Sequence, residues 1–158
     1  MSLPRFAALM LVGALALPFA AGANAQDVVA DPAIAAMSPA EMVAARIAGM
    51  KQNGGLMRQA GGLTGTAATD AADVMIQNYT NFKVLFPEGS NVGDSKALPA
   101  IWASTENYNE FIGWFDDGLA AAQAMKTAAL ANDADAYGAA LKTIGATCGT
   151  CHTKYRAE

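Results

Sequence analysis

Cys148-Gly149-Thr150-Cys151-His152, near the C-terminus, puts two thiols and an imidazole within about one turn of chain, and the protein has no other cysteine or histidine. C-x-x-C-H is the haem c attachment signature. The chemistry needs this spacing, because two thiols add across the two vinyl groups of one porphyrin edge and must span that edge. The adjacent imidazole then swings under the ring and binds the iron as proximal ligand. On a helix Cys148 and His152 are four apart and share a face, and Cys151 completes the clamp. A structural zinc site needs four ligands, and no further Cys or His completes one. A thioredoxin-like C-x-x-C belongs at a helix N-terminus after a strand, whereas this string lies deep in a helical pattern. Two cysteines in an exported chain ordinarily suggest a disulfide. Here the spacing and the following histidine favour one covalent haem c per chain, held by Cys148 and Cys151 with His152 on the metal.

The segments that must position this string read as helices. Ser38-Pro39-Ala40-Glu41 combines an N-cap Ser, Pro at the first helical position and Glu two residues further on, a capping box. Val43, Ile47, Met50, Gly54 and Met57 follow in alternating steps of four and three, drawing one stripe to about Gln59. Gly61, Gly62 and Gly65 end that helix. A second helix is predicted from about Asp70 to Leu85, with Met75, Tyr79, Phe82 and Phe86 inward. Pro87, Gly89, Gly93 and Pro99 mark a long connection, a length for which function is a common reason. A third helix starts at Thr105-Glu106 and turns Tyr108, Ile112, Phe115, Leu119 and Ala122 inward. The fourth runs from about Asp133 to Tyr155, with Tyr137, Leu141, Ile144, Cys148, Cys151 and Tyr155 on one stripe. Four amphipathic helices without credible strands predict an all-α fold, an antiparallel four-helix bundle with the haem inserted among the helices.

The N-terminus reads as an address. Arg5 is a short positive lead, Phe6 to Ala21 are apolar, and Ala23-Asn24-Ala25 is a small-x-small site. Residues 1–25 are therefore expected to be a secretory signal cleaved before Gln26, leaving 26–158 as one bundle domain. The apolar run is short for a spanning helix, so no stable membrane anchor is expected. The net charge is −4, and no Lys/Arg run stands out, which disfavours nucleic acid as a partner.

A C-x-x-C-H string at the extreme C-terminus of a four-helix chain resembles the class II c-type cytochromes, meaning cytochrome c′ and its low-spin relatives such as cytochrome c-556. Leu85-Phe86-Pro87-Glu88-Gly89 and Ala97-Leu98-Pro99-Ala100-Ile101-Trp102 look like that family's second loop. Arg156 follows His152 by four, and in the family such an Arg lies close to the haem. Arg156 is thereby a candidate for tuning it, or a solvated cation at the helix C-terminus.

The resemblance also bears on the sixth ligand. Arg46-Ile47-Ala48-Gly49-Met50-Lys51 matches the family's first-helix segment, whose position four after Arg faces the distal side of the haem. Arg46 is accordingly a candidate cofactor-binding residue and Met50 the candidate axial ligand. High-spin relatives carry a non-ligating residue there, whereas low-spin ones carry Met. Buried methionines are usually core filler, and Met57 is the next candidate, one heptad on. Gly49, Gly54 and Gly55 cost helix propensity, which either a flat macrocycle or a close neighbouring helix explains.

His/Met ligation raises the reduction potential and fits electron transfer. The expected function is a periplasmic one-electron carrier, not an enzyme, serving redox partner proteins of a respiratory or photosynthetic chain as a monomer or homodimer. The alternative is a high-spin binder of nitric oxide or carbon monoxide, which requires Met50 to stay off the metal.

Overall fold

The computed structural model describes residues 28–158; the expected signal segment and its cleavage point lie outside the described residues. Four helices form: α1 (Pro39–Ala60), α2 (Gly65–Phe82), α3 (Thr105–Ala131) and α4 (Ala134–Tyr155), with short 3-10 turns at Pro32–Ala36 and Pro99–Trp102. No strand forms among the described residues, only an isolated antiparallel bridge between Ala97 and Arg156. The bundle expectation holds.

Capping explains where the helices begin. The Ser38 side chain accepts from the Glu41 N–H while the Glu41 carboxylate accepts from the Ser38 N–H at 2.7 Å, so the capping box is closed. Ser104 caps α3 through the Asn107 N–H, and Asp133 caps α4 through the Ala136 N–H. Asn132 ends α3 in the left-handed region, with φ 54°, where its short polar side chain is tolerated. With Asn132 and Asp133 as the whole link, α3 and α4 must lie antiparallel as neighbours. Helix α2 begins five residues before the expected Asp70 and ends at Phe82, so Leu85 and Phe86 are core residues of the following loop rather than of the helix.

The core is aromatic around the middle of the bundle. Phe111 packs edge-on to Phe86, Phe115 and Tyr155 with ring centroids 4.8, 4.9 and 5.3 Å apart. Phe82 and Phe115 meet at 5.4 Å. On α3 the buried ridge is Phe111, Phe115, Gly118, Ala122 and Met125, rotated from the expected one, and Tyr108, Ile112 and Leu119 are only half-buried. The cause is small-residue packing: a Cβ on Gly118 would lie 2.4 Å from the Tyr79 ring, so this glycine lets α2 and α3 approach closely. Helix α1 departs in a similar way. Its buried positions are Val43, Arg46, Gly49, Asn53 and Ala60, while Ile47, Met50, Gly54 and Met57 are half-buried. Arg46 and Asn53 are satisfied by hydrogen bonds, and Gly49 admits the Phe82 ring, 2.7 Å from where a Cβ would stand. Helices α1 and α4 touch only sparsely, because a cavity opens between them.

Candidate haem site

That cavity has a volume of about 720 Å³ and runs from Ile47, Met50 and Gly54 on α1 to Cys151, His152 and Tyr155 on α4, with Phe86, Phe111 and Phe115 as an aromatic wall. A second space of about 210 Å³ adjoins it, bounded by Met57, Tyr79, Trp114, Thr147 and Cys148. The two share Met50, Gly54, Phe115, Cys151 and His152. Cofactor pockets run from about 300 to 1,000 Å³ and are mostly apolar with a few convergent polar groups. Two thiols and an imidazole from the end of one helix, opening on an aromatic-walled gap, are the donor set that a covalently held haem requires.

The α4 helix delivers its three residues as the spacing predicted. Cys151 is buried, Cys148 and His152 are half-buried, and all three lie in the last two turns before Arg156 leaves the helix. The cysteines form no disulfide. Burial pushes the Cys151 thiol up to about 12, with the nearby Cys148 and Glu110 adding to the effect. The site therefore favours an uncharged sulfur, the state that sulfur keeps in a thioether. Burial, and then the Arg156 charge, lower the His152 imidazole below its ordinary value. A neutral imidazole is the form that binds metal. Burial and then Cys148 raise the Tyr79 phenol, which holds its proton beside the Cys148 sulfur.

Arg46 lines the large cavity, yet its guanidinium is turned into the α2–α3 loop. Nη1 donates to the Leu85 carbonyl at 3.2 Å and to Ser90 Oγ at 3.0 Å. Nη2 donates to the Ser90 carbonyl and to Ser95 Oγ, both at 2.8 Å. The Phe86 ring lies 4.4 Å from the guanidinium carbon. Arg46 thus ties the loop to the helix that carries Met50, one turn away. Arg156 is exposed at the cavity rim, and the Leu98 N–H and Ala157 N–H bonds to Tyr155 and Lys96 stitch its neighbourhood to the loop.

Two of the three glycines of α1 differ in role, and Gly55, like Gly54, meets only the end of Arg58. Gly49 serves helix contact with Phe82, whereas Gly54 borders both cavities and meets only the end of Arg58. Sequence reasoning missed Phe111 and the basic residues Lys51, Arg58 and Lys96 at the rim. A signal for two of them was present: Lys51 and Arg58 follow Met50 and Met57 directly and repeat their seven-residue spacing.

Comparison with known proteins identifies the family. The family profile described as Cytochrome C′ matches residues 41–156. A cytochrome c-556 of Agrobacterium fabrum (strain C58) is 39% identical over 127 residues, covering 65% of this chain and 76% of that protein. A cytochrome c-554 of Cereibacter sphaeroides is 41% identical over 75 residues, 46% of each chain, so the match spans about half the length of that relative. Among solved structures, the cytochrome c′ of Thermochromatium tepidum superposes with a TM-score of 0.68 at 27% identity, covering 77% of this chain and 98% of the other. The chain belongs to the cytochrome c′ family, the class II four-helix cytochromes. It is a haem c cytochrome, with Cys148 and Cys151 in the attachment motif.

Proposed function

We propose that this cytochrome is a one-electron carrier whose iron is held by His152 on one side and Met50 on the other. The observation that carries the reading is that Met50 and His152, from opposite helices, border the same two adjoining spaces as Cys151. Met57 borders only the smaller one. Haem c, when bound, supplies an iron that accepts and returns one electron. The chain's part is to fix the ligands, keep water off and hold the ring: Cys148 and Cys151 anchor it and the aromatic wall excludes solvent. Arg46, through its bonds to Ser90 and Ser95, keeps the loop closed over the cavity, and Arg156 stands where it adds positive charge at the rim. A thioether ligand raises the reduction potential, and ligation unchanged between oxidation states limits rearrangement.

The export reading places the protein in the periplasm, with residues 1–25 removed before Gln26. There it serves redox proteins of a respiratory or photosynthetic chain, as monomer or homodimer and without a catalytic role. Among the described residues no helix is long and apolar enough to cross a membrane. The deciding experiment is the optical spectrum of the purified holoprotein in both oxidation states, followed by carbon monoxide added to the reduced form. A low-spin spectrum that carbon monoxide leaves unchanged is expected. High-spin bands with ready uptake of the gas would establish a gas-binding cytochrome instead.

A further inference from the structure

Of the ten Lys and Arg in the chain, five line the large cavity, and no carboxylate side chain lines it with them. Arg46 is buried and committed to the loop. The other four, Lys51, Arg58, Lys96 and Arg156, are exposed at the rim. Of the four described cations elsewhere, Lys142 forms no ion pair and the other three do. Lys83, Lys126 and Lys154 each pair with an acid, Asp116, Asp73 and Glu110, at 2.6, 2.7 and 2.6 Å. Among the described residues Lys51, Arg58 and Arg156 form no such ion pair, whereas Lys96 donates to a main-chain oxygen of Glu158, the last residue described, and is not counted as free.

The chain as a whole carries −4, so its charge is divided: a positive rim at the cavity on an acidic body. The two propionates of a haem neutralise at most two of the three exposed rim cations that lack an ion pair, Lys51, Arg58 and Arg156. The geometry points to this rim as the docking face for an acidic patch on a redox partner protein, an assignment that rests on the electron-carrier reading. Surface charges act over about 8 Å at physiological salt, so a compact acidic patch seated on the rim feels the cations and not the distant acids. A broad anionic lipid surface meets the acidic body as well. Complementary fields at a cleft of this kind steer encounter and set orientation.

The test uses the ferrous holoprotein, oxidised in a stopped-flow instrument by ferricyanide, a trianion, or by tris(phenanthroline)cobalt(III), a trication. In each reaction one electron passes from the haem iron to the reagent's metal. Between ionic strengths of about 0.01 M and about 1 M, where the screening length falls from ~30 to ~3 Å, the ferricyanide rate should drop at least about tenfold. The cobalt rate should rise. Combined Lys51→Glu and Arg58→Glu should erase most of both dependences, whereas Lys142→Glu, on the exposed face of α4, should leave them in place. Poly-L-aspartate added to the holoprotein at low salt should shift backbone amide resonances at the rim.

A ferricyanide rate that ignores salt or rises with it would overturn the assignment, because net negative charge alone predicts a rise. So would amide shifts away from the rim, or binding to phosphatidylglycerol vesicles without binding to poly-L-aspartate. Low-salt self-association abolished by the double variant would hand the face to a second copy of the chain. The salt dependence reads the field at the cavity whatever the spin state. A high-spin spectrum therefore defeats the carrier reading alone, and salt-independent rates with a low-spin spectrum defeat only the docking face.

Discussion

The Tyr79 hydroxyl lies 3.6 Å from the sulfur of Cys148, and the Tyr79 ring is held there by the bare backbone of Gly118. A residue of α2 thereby touches one attachment point of the haem, and its position depends on a glycine of α3. The contact between helices and the site for the cofactor are one piece of packing.

Replacing Gly118→Ala tests that dependence. Alanine gains about 1 kcal/mol in helix propensity, but its Cβ would meet Tyr79 at 2.4 Å, and overpacking of this kind costs about 1–3 kcal/mol. The net expectation is a loss of about 1 kcal/mol in denaturant unfolding together with a shift in the haem absorption bands. Gly138→Ala is the control: no atom stands within 4 Å of its Cβ position, so that variant should be more stable, with an unchanged spectrum.

Met50→Ala should convert a low-spin spectrum into a high-spin one that takes up carbon monoxide when reduced. Met57→Ala should leave the spectrum low-spin. If the two outcomes are exchanged, the ligand is Met57; if neither variant changes the spectrum, no methionine of α1 binds the iron.

Arg46 is 3% exposed and donates to four acceptors in the α2–α3 loop. A hydrogen bond to a charged group is worth about 1.5–3 kcal/mol, and the four bonds of one guanidinium do not add, because methionine also removes the buried charge. Arg46→Met should therefore lower stability by about 2–4 kcal/mol in denaturant melts of the holoprotein. Arg46→Lys should recover only part of the loss, since an ammonium cannot reproduce the planar fork. Hydrogen exchange should show the loop opening faster in both variants.

The Ser38 hydroxyl and N–H hold the Glu41 carboxyl below its ordinary value of 4.5. A group depressed on folding contributes stability that is present above its unfolded pKa and lost as pH falls through the folded one. The stability difference between the wild type and Glu41→Gln should accordingly be measurable at neutral pH and vanish in the acid range. Ser38→Ala should cost about 1 kcal/mol at neutral pH, the usual worth of an N-cap.

The sequence announced the haem because covalent attachment demands a rigid spacing, and Cys148, Cys151 and His152 stand on the helix that spacing implied. The helix start at Ser38 was legible for the same local reason, since a capping box is written in four consecutive residues, whereas Ser104 and Asp133 were not legible as caps. The buried faces of α1 and α3 were not legible either. Hydropathy counts neither a buried Arg46 whose charge is met by a distant loop nor a Gly118 whose value lies in what it lacks. In the apolar stripe of α1, Ile47, Met50 and Gly54 border the cavity; the stripe alone made Met50 look like packing, and only the family resemblance marked it as a candidate ligand. Met75, Tyr79 and Phe82 on α2 are buried, and there the pattern and the structure agree.

Helices α1 and α4 barely meet across their cavity, and that gap has a consequence for the life of the chain. Phe111 and Phe115 border that cavity while each is 3% exposed, so the haem it holds would be the layer that joins the first helix to the last. A group that binds only the folded state stabilises it, and proteases cleave in proportion to the open population. Copies that fail to receive haem should thus be the ones most easily cleared, and faster proteolysis of apoprotein than of holoprotein would show survival tied to maturation.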